Sequence, residues 1–236
     1  RWRRCASACQ CAATSHRVPA DGEGTLSWNA ERLVRHVNCL IVLITRHWLA
    51  LANAAIALVL GGALLAPVLM LQGHQRAGEL LHRAYAPLCH QLPERSYFIG
   101  GPRHTYSLGE LDAALGRETP LRYLGDRELG YKVALCQRDV AIYAGWLIGG
   151  LRFGLVRRRL RPLPWKVGLL MSAPVAIDGL VQFVGLVESN WGRRTVTGLL
   201  FAFAVIWLVD PLLERGMNEA RDAASSGLED AHAGER

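Results

Sequence analysis

The stretch Trp48–Leu71, WLALANAAIALVLGGALLAPVLML, decides the fold of this chain. It carries no charged side chain, and Asn53 is its only strongly polar residue. At a rise of 1.5 Å per residue, a helix of about 24 residues is longer than the roughly 30 Å hydrocarbon core of a bilayer. A core helix of a soluble protein would be shorter and would show a polar face with a period of 3.6 residues. The stretch therefore predicts a transmembrane helix.

The apolar residues of the whole chain are gathered into blocks of this kind. Hydrophobic residues make up 51% and charged residues 20% of the 236 residues, and the mean hydropathy is +0.15, which is typical of membrane proteins. Three further blocks predict spans at Val133–Val156, Val167–Val187 and Thr195–Leu213. Asp139 and Asp178 lower the hydropathy of two blocks, a cost that apolar neighbours offset. The predicted fold class is all-α, a polytopic transmembrane helical bundle of about four spans with an external loop segment.

The net charge of +7 is placed at membrane ends, so we expect a lipid bilayer rather than nucleic acid as the partner. Arginines cluster in the connection Arg152–Lys166 between the second and third predicted spans, which is the strongest positive-inside signal. This connection and both termini are therefore expected in the cytoplasm, in a multi-pass protein of the cell membrane. Arg193 and Arg194 lie in a loop that this orientation places outside, and they weaken the assignment. Membrane protein partners and a homo-oligomer remain open.

The spans divide the chain into five predicted regions. These are a disordered basic cytoplasmic lead (1–31), an interfacial helix with the first span (32–71), an extracytoplasmic segment with a Cys-His motif (72–132), a three-span bundle (133–213) and a polar cytoplasmic tail (214–236). The lead contains Cys5, Cys9 and Cys11, and cysteines on the reducing side of a membrane are more often inert than functional.

Three polar motifs stand at the predicted external ends of the spans. They are CHQLPERSYFIGG (Cys89–Gly101), YKVALCQRDVAIYAGWLIGG (Tyr131–Gly150) and PVAIDGLVQFVGLVESNWGRRTVTGLLF (Pro174–Phe201). Over roughly Tyr85 to Leu213 they resemble the motifs of the domain of unknown function 2085 family, which are uncharacterised prokaryotic polytopic membrane proteins. The resemblance implies a membrane architecture and implies no activity.

The family's pattern carries over to this sequence position by position. The matching residues are Cys89, His90, Gln91, Arg95, Ser96, Cys136, Arg138, Ile142, Tyr143, Asp178, Gly179, Gln182, Glu188, Ser189 and Asn190. Asp139 stands where the family has a second cysteine, and Ala141 stands where it has glycine.

The cysteine motifs predict a metal site. In the resembled family, Cys-His together with Cys-x-x-Cys implies the Cys₃His set of a structural zinc site. In this chain the candidate ligands are Cys89, His90, Cys136 and Asp139, and zinc is the candidate metal, because Asp139 follows Cys136 on the same helix face and carboxylate oxygen can bind zinc. Two alternatives stay open. Cys89 and Cys136 could form a disulfide on the oxidising side of the membrane, or both could be inert packing residues.

Asp178 marks a second candidate site. Pro174, Asp178 and Gln182 recur every four residues and share one helix face, which we expect to point into the bundle. Arg138 is the expected partner of Asp178. A structural ion pair or interhelical hydrogen bond is weighed equally against a proton-relay or substrate role. The candidate catalytic residues are Asp178, Arg138, Gln182, Arg95 and Glu188.

Convergence of these polar groups at one membrane face predicts a small metal-dependent or redox-active membrane enzyme. The alternative is a non-catalytic accessory or scaffold subunit of a membrane complex, in which a disulfide or metal clip ties the loop to the bundle. A small transporter is a further alternative, which is less favoured because four spans without a repeat leave little room for alternating access. The sequence leaves open whether the protein is an enzyme.

Overall fold

The computed structural model describes residues 22–157, 160–184 and 190–233 of the chain. Its elements, in chain order, are α1 (Gly22–Leu71), α2 (Gln75–Tyr85), a 3₁₀ turn (Pro93–Arg95), β1 (Ser96–Ile99), α3 (Leu108–Leu115), β2 (Gly125–Asp126), β3 (Gly130–Cys136), α4 (Gln137–Val156), α5 (Trp165–Phe183) and α6 (Trp191–Ala233). The described chain is mostly helical, which confirms the all-α membrane class, and it also contains a small sheet that the sequence analysis did not predict.

In the described part of the chain, three helices are long and apolar enough to cross a bilayer. They are α1 over Arg32–Leu71, α4 over Gln137–Val156 and α6 over Trp191–Glu229. Helix α5 holds the residues of the predicted third span and has 19 residues. It is not among the three, because Lys166, Asp178 and Gln182 lower its hydropathy.

The packing of α5 nevertheless places it antiparallel to the first half of α6. Near the start of α5, a Cβ atom at Gly168 would lie 3.4 Å from Leu208. Near its end, Asp178 lies 3.3 Å from Arg193. Residues 193 and 208 are separated by roughly 22 Å along a helix, so α5 carries the chain back over most of the thickness of a bilayer. The fourth span stays a prediction, and this geometry favours it.

Residues 72–136, here called the cap, form a folded layer rather than an open connection. Its antiparallel sheet has the order β1-β3-β2. Ser96 pairs with Cys136 and Phe98 pairs with Lys132, so β3 contains an irregularity between these pairs. Strand β3 is buried along its length up to Leu135, which is why its apolar run YKVALC resembled the start of a span.

The boundary between the cap and α4 corrects the predicted second span. That span was expected to begin at Val133, but residues 133–136 belong to β3 and the helix begins at Gln137. Cys136 has extended backbone angles and caps α4, because its sulfur accepts a hydrogen bond from the Asp139 N–H. A strand of the cap therefore continues directly into a membrane helix.

A core of small and branched residues joins the cap to α1. Ala63 and Ala66 pack against Val133, Ala134 and Leu135, and all five are buried. Alanine on α1 lets the strand approach the helix closely. On the neighbouring helix α2, the Tyr85 hydroxyl donates to the Val59 carbonyl at 2.6 Å.

The chain divides into two compact units, residues 52–211 and the two ends that flank them. Within the unit of the ends, the Trp48 indole N–H donates to Glu214 at 2.9 Å, and Gly227 lies beside Asn38. The lead was predicted to be disordered through residue 31, yet α1 begins at Gly22. The polar tail from residue 214 is helical up to Ala233. Cys5, Cys9 and Cys11 lie outside the described residues.

Candidate functional site

Three of the four predicted metal ligands come together where the cap meets α4. The sulfur atoms of Cys89 and Cys136 and a carboxylate oxygen of Asp139 all lie within 4.8 Å of one another, and each of these residues is half-buried. Both cysteines are free thiols in this structure. Two backbone amides support the sulfurs, since Cys136 N–H donates to Cys89 at 3.3 Å and Asp139 N–H donates to Cys136 at 3.5 Å. The site holds three donors of the kinds that bind zinc.

The two thiols differ in acidity because they lie side by side. Interaction with the Cys136 thiol lowers the pKa of Cys89 below its ordinary value against the opposing effects of burial and Asp139. Interaction with Cys89, together with burial, raises the pKa of Cys136. Cys89 is therefore the thiol that ionises first and the better nucleophile of the pair.

A buried lysine stands close to this pair. Lys132 on β3 is fully buried and its ammonium donates to the Gln91 carbonyl at 2.5 Å. Burial lowers the pKa of Lys132 to about 8, opposed by the negative charges of Cys89 and Glu94. Sequence reasoning missed Lys132, because a lysine at the end of a predicted extracytoplasmic segment is expected to be exposed.

The fourth predicted ligand, His90, is exposed and is not in the group formed by the two cysteines and Asp139. The histidine of this region with a structural role is His82 on α2. Its Nδ1 lies 2.9 Å from Oε1 of Gln91, and Nε2 of Gln91 donates to the His82 carbonyl at 2.7 Å. Gln91 holds this position with φ +54, which is unusual for a residue other than glycine. The glutamine of the Cys-His-Gln motif thus fixes the turn that presents Cys89.

The predicted ion pair between Arg138 and Asp178 is present, and a second arginine joins it. Arg138 Nη2 donates to Asp178 Oδ2, and Arg193 Nη2 lies 3.3 Å from Asp178 Oδ1. The Asp178 side chain is only 3% exposed. The carboxylate therefore ties α4, α5 and α6 together at the end that faces the cap.

Beside this ion pair lies an open cleft of about 1070 Å³. Arg95 and Gln182, two candidate catalytic residues, line it together with Gln137 and Arg194. Arg138 and Asp178 do not line it. Glu188, the fifth candidate, lies outside the described residues.

Gln137 is buried and links the elements around the cleft. Its side-chain NH₂ group donates to the Ser96 carbonyl at 3.0 Å, and its Oε1 accepts from Arg194 at 3.1 Å.

Fold and site together define a helical membrane protein with a polar, cysteine-containing cap at one end of its bundle. Residues 128–208 match the family model described as "Predicted membrane protein (DUF2085)", so the resemblance to the domain of unknown function 2085 family is confirmed over that segment. The match includes Cys136, Arg138, Asp139 and Asp178. It begins after Cys89, which therefore lies outside it. The chain is also similar to "Uncharacterized protein MJ1492" of Methanocaldococcus jannaschii, with 27% identity over 135 residues, 56% of this chain and 67% of that protein. No solved structure matches.

We predict that Asp178→Asn destabilises the protein more than either arginine substitution. It leaves two cations without their shared carboxylate, and removing one partner of a buried ion pair costs about 3 kcal/mol. Arg138→Gln leaves Arg193 to pair with Asp178. Arg193→Gln removes a side chain that is 47% exposed, and the loss of such an exposed partner costs less than about 1 kcal/mol. Thermal unfolding in detergent measures the order of destabilisation among the three variants.

In the double variant Asp178→Asn with Arg138→Gln, the loss of stability should be smaller than the sum of the losses in the two single variants. An additive result would show that the pair contributes no coupling.

We predict that His82 makes the cap less stable at mildly acidic pH. Burial lowers the pKa of His82, the charge of Lys132 adds to this effect, and the hydrogen bond to Gln91 opposes it. The unfolded chain therefore takes up the proton first, and stability falls as the pH drops below about 6.5, by up to roughly 1.4 kcal/mol per pH unit. His82→Gln should flatten this part of the curve of unfolding temperature against pH. The exposed His74 provides the matched control, and an equal flattening in His74→Gln would contradict the assignment.

Proposed function

We propose that this protein is a metal-dependent membrane enzyme whose zinc centre is formed by Cys89, Cys136 and Asp139. The observation that carries the proposal is the convergence of two sulfurs and one carboxylate oxygen within 4.8 Å of one another. Thiolate ligands select zinc or another soft metal over magnesium and calcium. Three protein ligands leave a fourth tetrahedral position for water or substrate, which is the arrangement of catalytic rather than structural zinc sites.

The surroundings of the three ligands support this proposal. The two N–H groups that donate to sulfur would stabilise thiolates and hold their orientation, as outer-sphere groups do at metal sites. A metal bound there would polarise a coordinated water or a substrate oxygen. His90 is exposed and leaves the fourth coordination position of the metal free. Gln137, which directly follows Cys136, lines the neighbouring cleft. A substrate held in that cleft would be adjacent to the centre.

The zinc content of the purified protein tests this proposal. Protein prepared in detergent without added chelator or reductant should contain about one zinc per chain, measured by inductively coupled plasma mass spectrometry. Cys89→Ser and Cys136→Ser should lose the metal, and Asp139→Cys, which restores the ligand type of the resembled family, should keep it. Cys39→Ser is the matched control, because Cys39 is not part of the group formed by Cys89, Cys136 and Asp139 and belongs to the other compact unit. Occupancy should fall with falling pH, since binding displaces the thiol protons.

The accessory-subunit alternative rests on the same two sulfurs, which are close enough to form a disulfide after a small movement. Peptides from unreduced, freshly isolated membranes distinguish the two functions. A linkage between Cys89 and Cys136 without bound zinc would refute the metal centre and favour a structural clip. In that case Cys89→Ser should lower the amount of protein in the membrane. No feature of the described residues favours a transporter.

We also propose that the cap is extracytoplasmic and that the basic connection after α4 is cytoplasmic. The cluster of arginines around Arg157 and Arg161 supports this orientation, and the antiparallel course of α5 supports placing the cap and the start of α6 on the same side.

Labelling in intact cells tests this orientation. In a background without native cysteines, Gly109→Cys should react with a membrane-impermeant thiol reagent and Pro162→Cys should not. Gly109 suits the test because a Cβ atom there meets no heavy atom within 4 Å. Reversed labelling would place the cysteines on the reducing side and would overturn the orientation.

A further inference from the structure

The cleft beside the bundle is lined by three arginines and one histidine. The 3₁₀ turn, the loop before α3 and the first residues of α4 and α6 enclose it. Arg95, Arg103, His104 and Arg194 line it, against two carboxylates, Glu94 and Glu110. Arg103 is already paired with Glu110 at 2.5 Å, and Arg95 Nε lies 3.6 Å from Glu94 Oε1. The groups that remain for a ligand are therefore Arg194 and the two terminal nitrogens of Arg95.

Arg194 is the unusual member of this set. It is only 7% exposed, and its hydrogen bonds go to two neutral oxygens, the Glu94 carbonyl at 3.3 Å and Gln137 Oε1 at 3.1 Å. No ion pair to Arg194 occurs among the described carboxylates, and its Nε has no hydrogen-bond partner there. A buried cation without a counter-ion is costly, and an anion in the cleft would remove that cost.

Two helix ends add to the positive potential. Gln137 is the first residue of α4, and Trp191 is the first residue of α6. The amino ends of helices carry partial positive charge and are common anion sites. Each helix end at the cleft already has a cap: Ser107 with Glu110 at α3, the Cys136 sulfur at α4, and Asn190 Oδ1, which accepts from the Arg193 N–H at 2.9 Å, at α6. The remaining N–H groups of α4 and α6 add positive potential to that of Arg194 and Arg95.

We propose that this cleft binds a phosphate group, held by Arg194 and Arg95. A guanidinium presents a planar fork of donors that matches the oxygens of phosphate. The aromatic side chain of Trp191 beside the site is typical of residues at headgroup depth. The phosphate belongs either to a phospholipid headgroup or to a soluble phosphate compound. This inference is independent of the proposed metal centre.

The binding test uses the full chain, purified in a maltoside detergent and dialysed against a chelator, so that zinc plays no part. Inorganic phosphate should raise the unfolding temperature above that in potassium chloride of equal ionic strength, because a ligand of the native state stabilises it. In the second arm, native mass spectrometry should detect adducts of phosphatidylglycerol and none of diacylglycerol. Stabilisation by phosphate alone identifies a soluble ligand, and lipid adducts alone identify a headgroup.

The variants assign the binding to the cleft. Arg194→Gln should weaken binding by about tenfold, the effect of losing one charge-assisted contact, and Arg194→Lys should recover part of the loss. Arg95→Gln should also weaken binding, and because the Arg95 side chain is 40% exposed, this variant tests the cleft even if Arg194→Gln does not fold. Arg83→Gln is the control, since Arg83 is 78% exposed and does not line the cleft.

Two results would overturn the proposal. The first is a wild-type protein that gains no stability from phosphate over chloride and carries no phosphatidylglycerol adducts. The second is equal weakening by Arg95→Gln and Arg83→Gln, which would show that binding follows net charge and not the cleft. Failure of either kind would leave the zinc measurement unaffected.

Discussion

The ion pair around Asp178 is the constraint on which the capped end of the bundle depends. One buried carboxylate is bound by Arg138 of α4 and Arg193 of α6, so three helices meet at a single charged group. In a low-dielectric environment such a group is costly unless its partners stay in place. The ends of α4 and α6 are therefore fixed relative to α5, and with them the positions of Cys136 and Arg194.

The junction of β3 with α4 transmits this constraint to the cysteines. Because the strand enters the helix directly at Cys136, the sulfur, the Asp139 carboxylate and the buried Lys132 are all carried by one short, rigid segment. Cys89 comes from a turn that Gln91 fixes through His82 and Lys132. The donors are thus positioned by backbone elements and by hydrogen bonds of the surrounding residues, which is what a preorganised site requires.

The sequence was sufficient for three of the four predicted spans and for the Asp178 pair, because apolar length and helix-face spacing are local properties. It was insufficient for the cap. Strand β3 is buried on both faces, so its apolar run lacks the alternation that marks a half-exposed strand, and it was read as the start of a helix. Arg193 and Arg194 were noticed only as charges that conflicted with the orientation. Their partners, Asp178 and Gln137, lie on other helices, and such contacts leave no pattern in a single sequence.

In the proposed zinc centre, a divalent metal would balance the charge of its ligands. With both thiols and Asp139 ionised, the three ligands carry three negative charges, which no half-buried site retains without cations. A divalent ion and the Lys132 ammonium together supply three positive charges and make the group neutral. Without a metal, a proton retained on Cys136, whose pKa is raised, lowers the negative charge instead. The buried Lys132 ammonium anchors the turn of Cys89, since it donates to the Gln91 carbonyl, and in the proposed centre it would also supply part of the positive charge that ionised thiolates require.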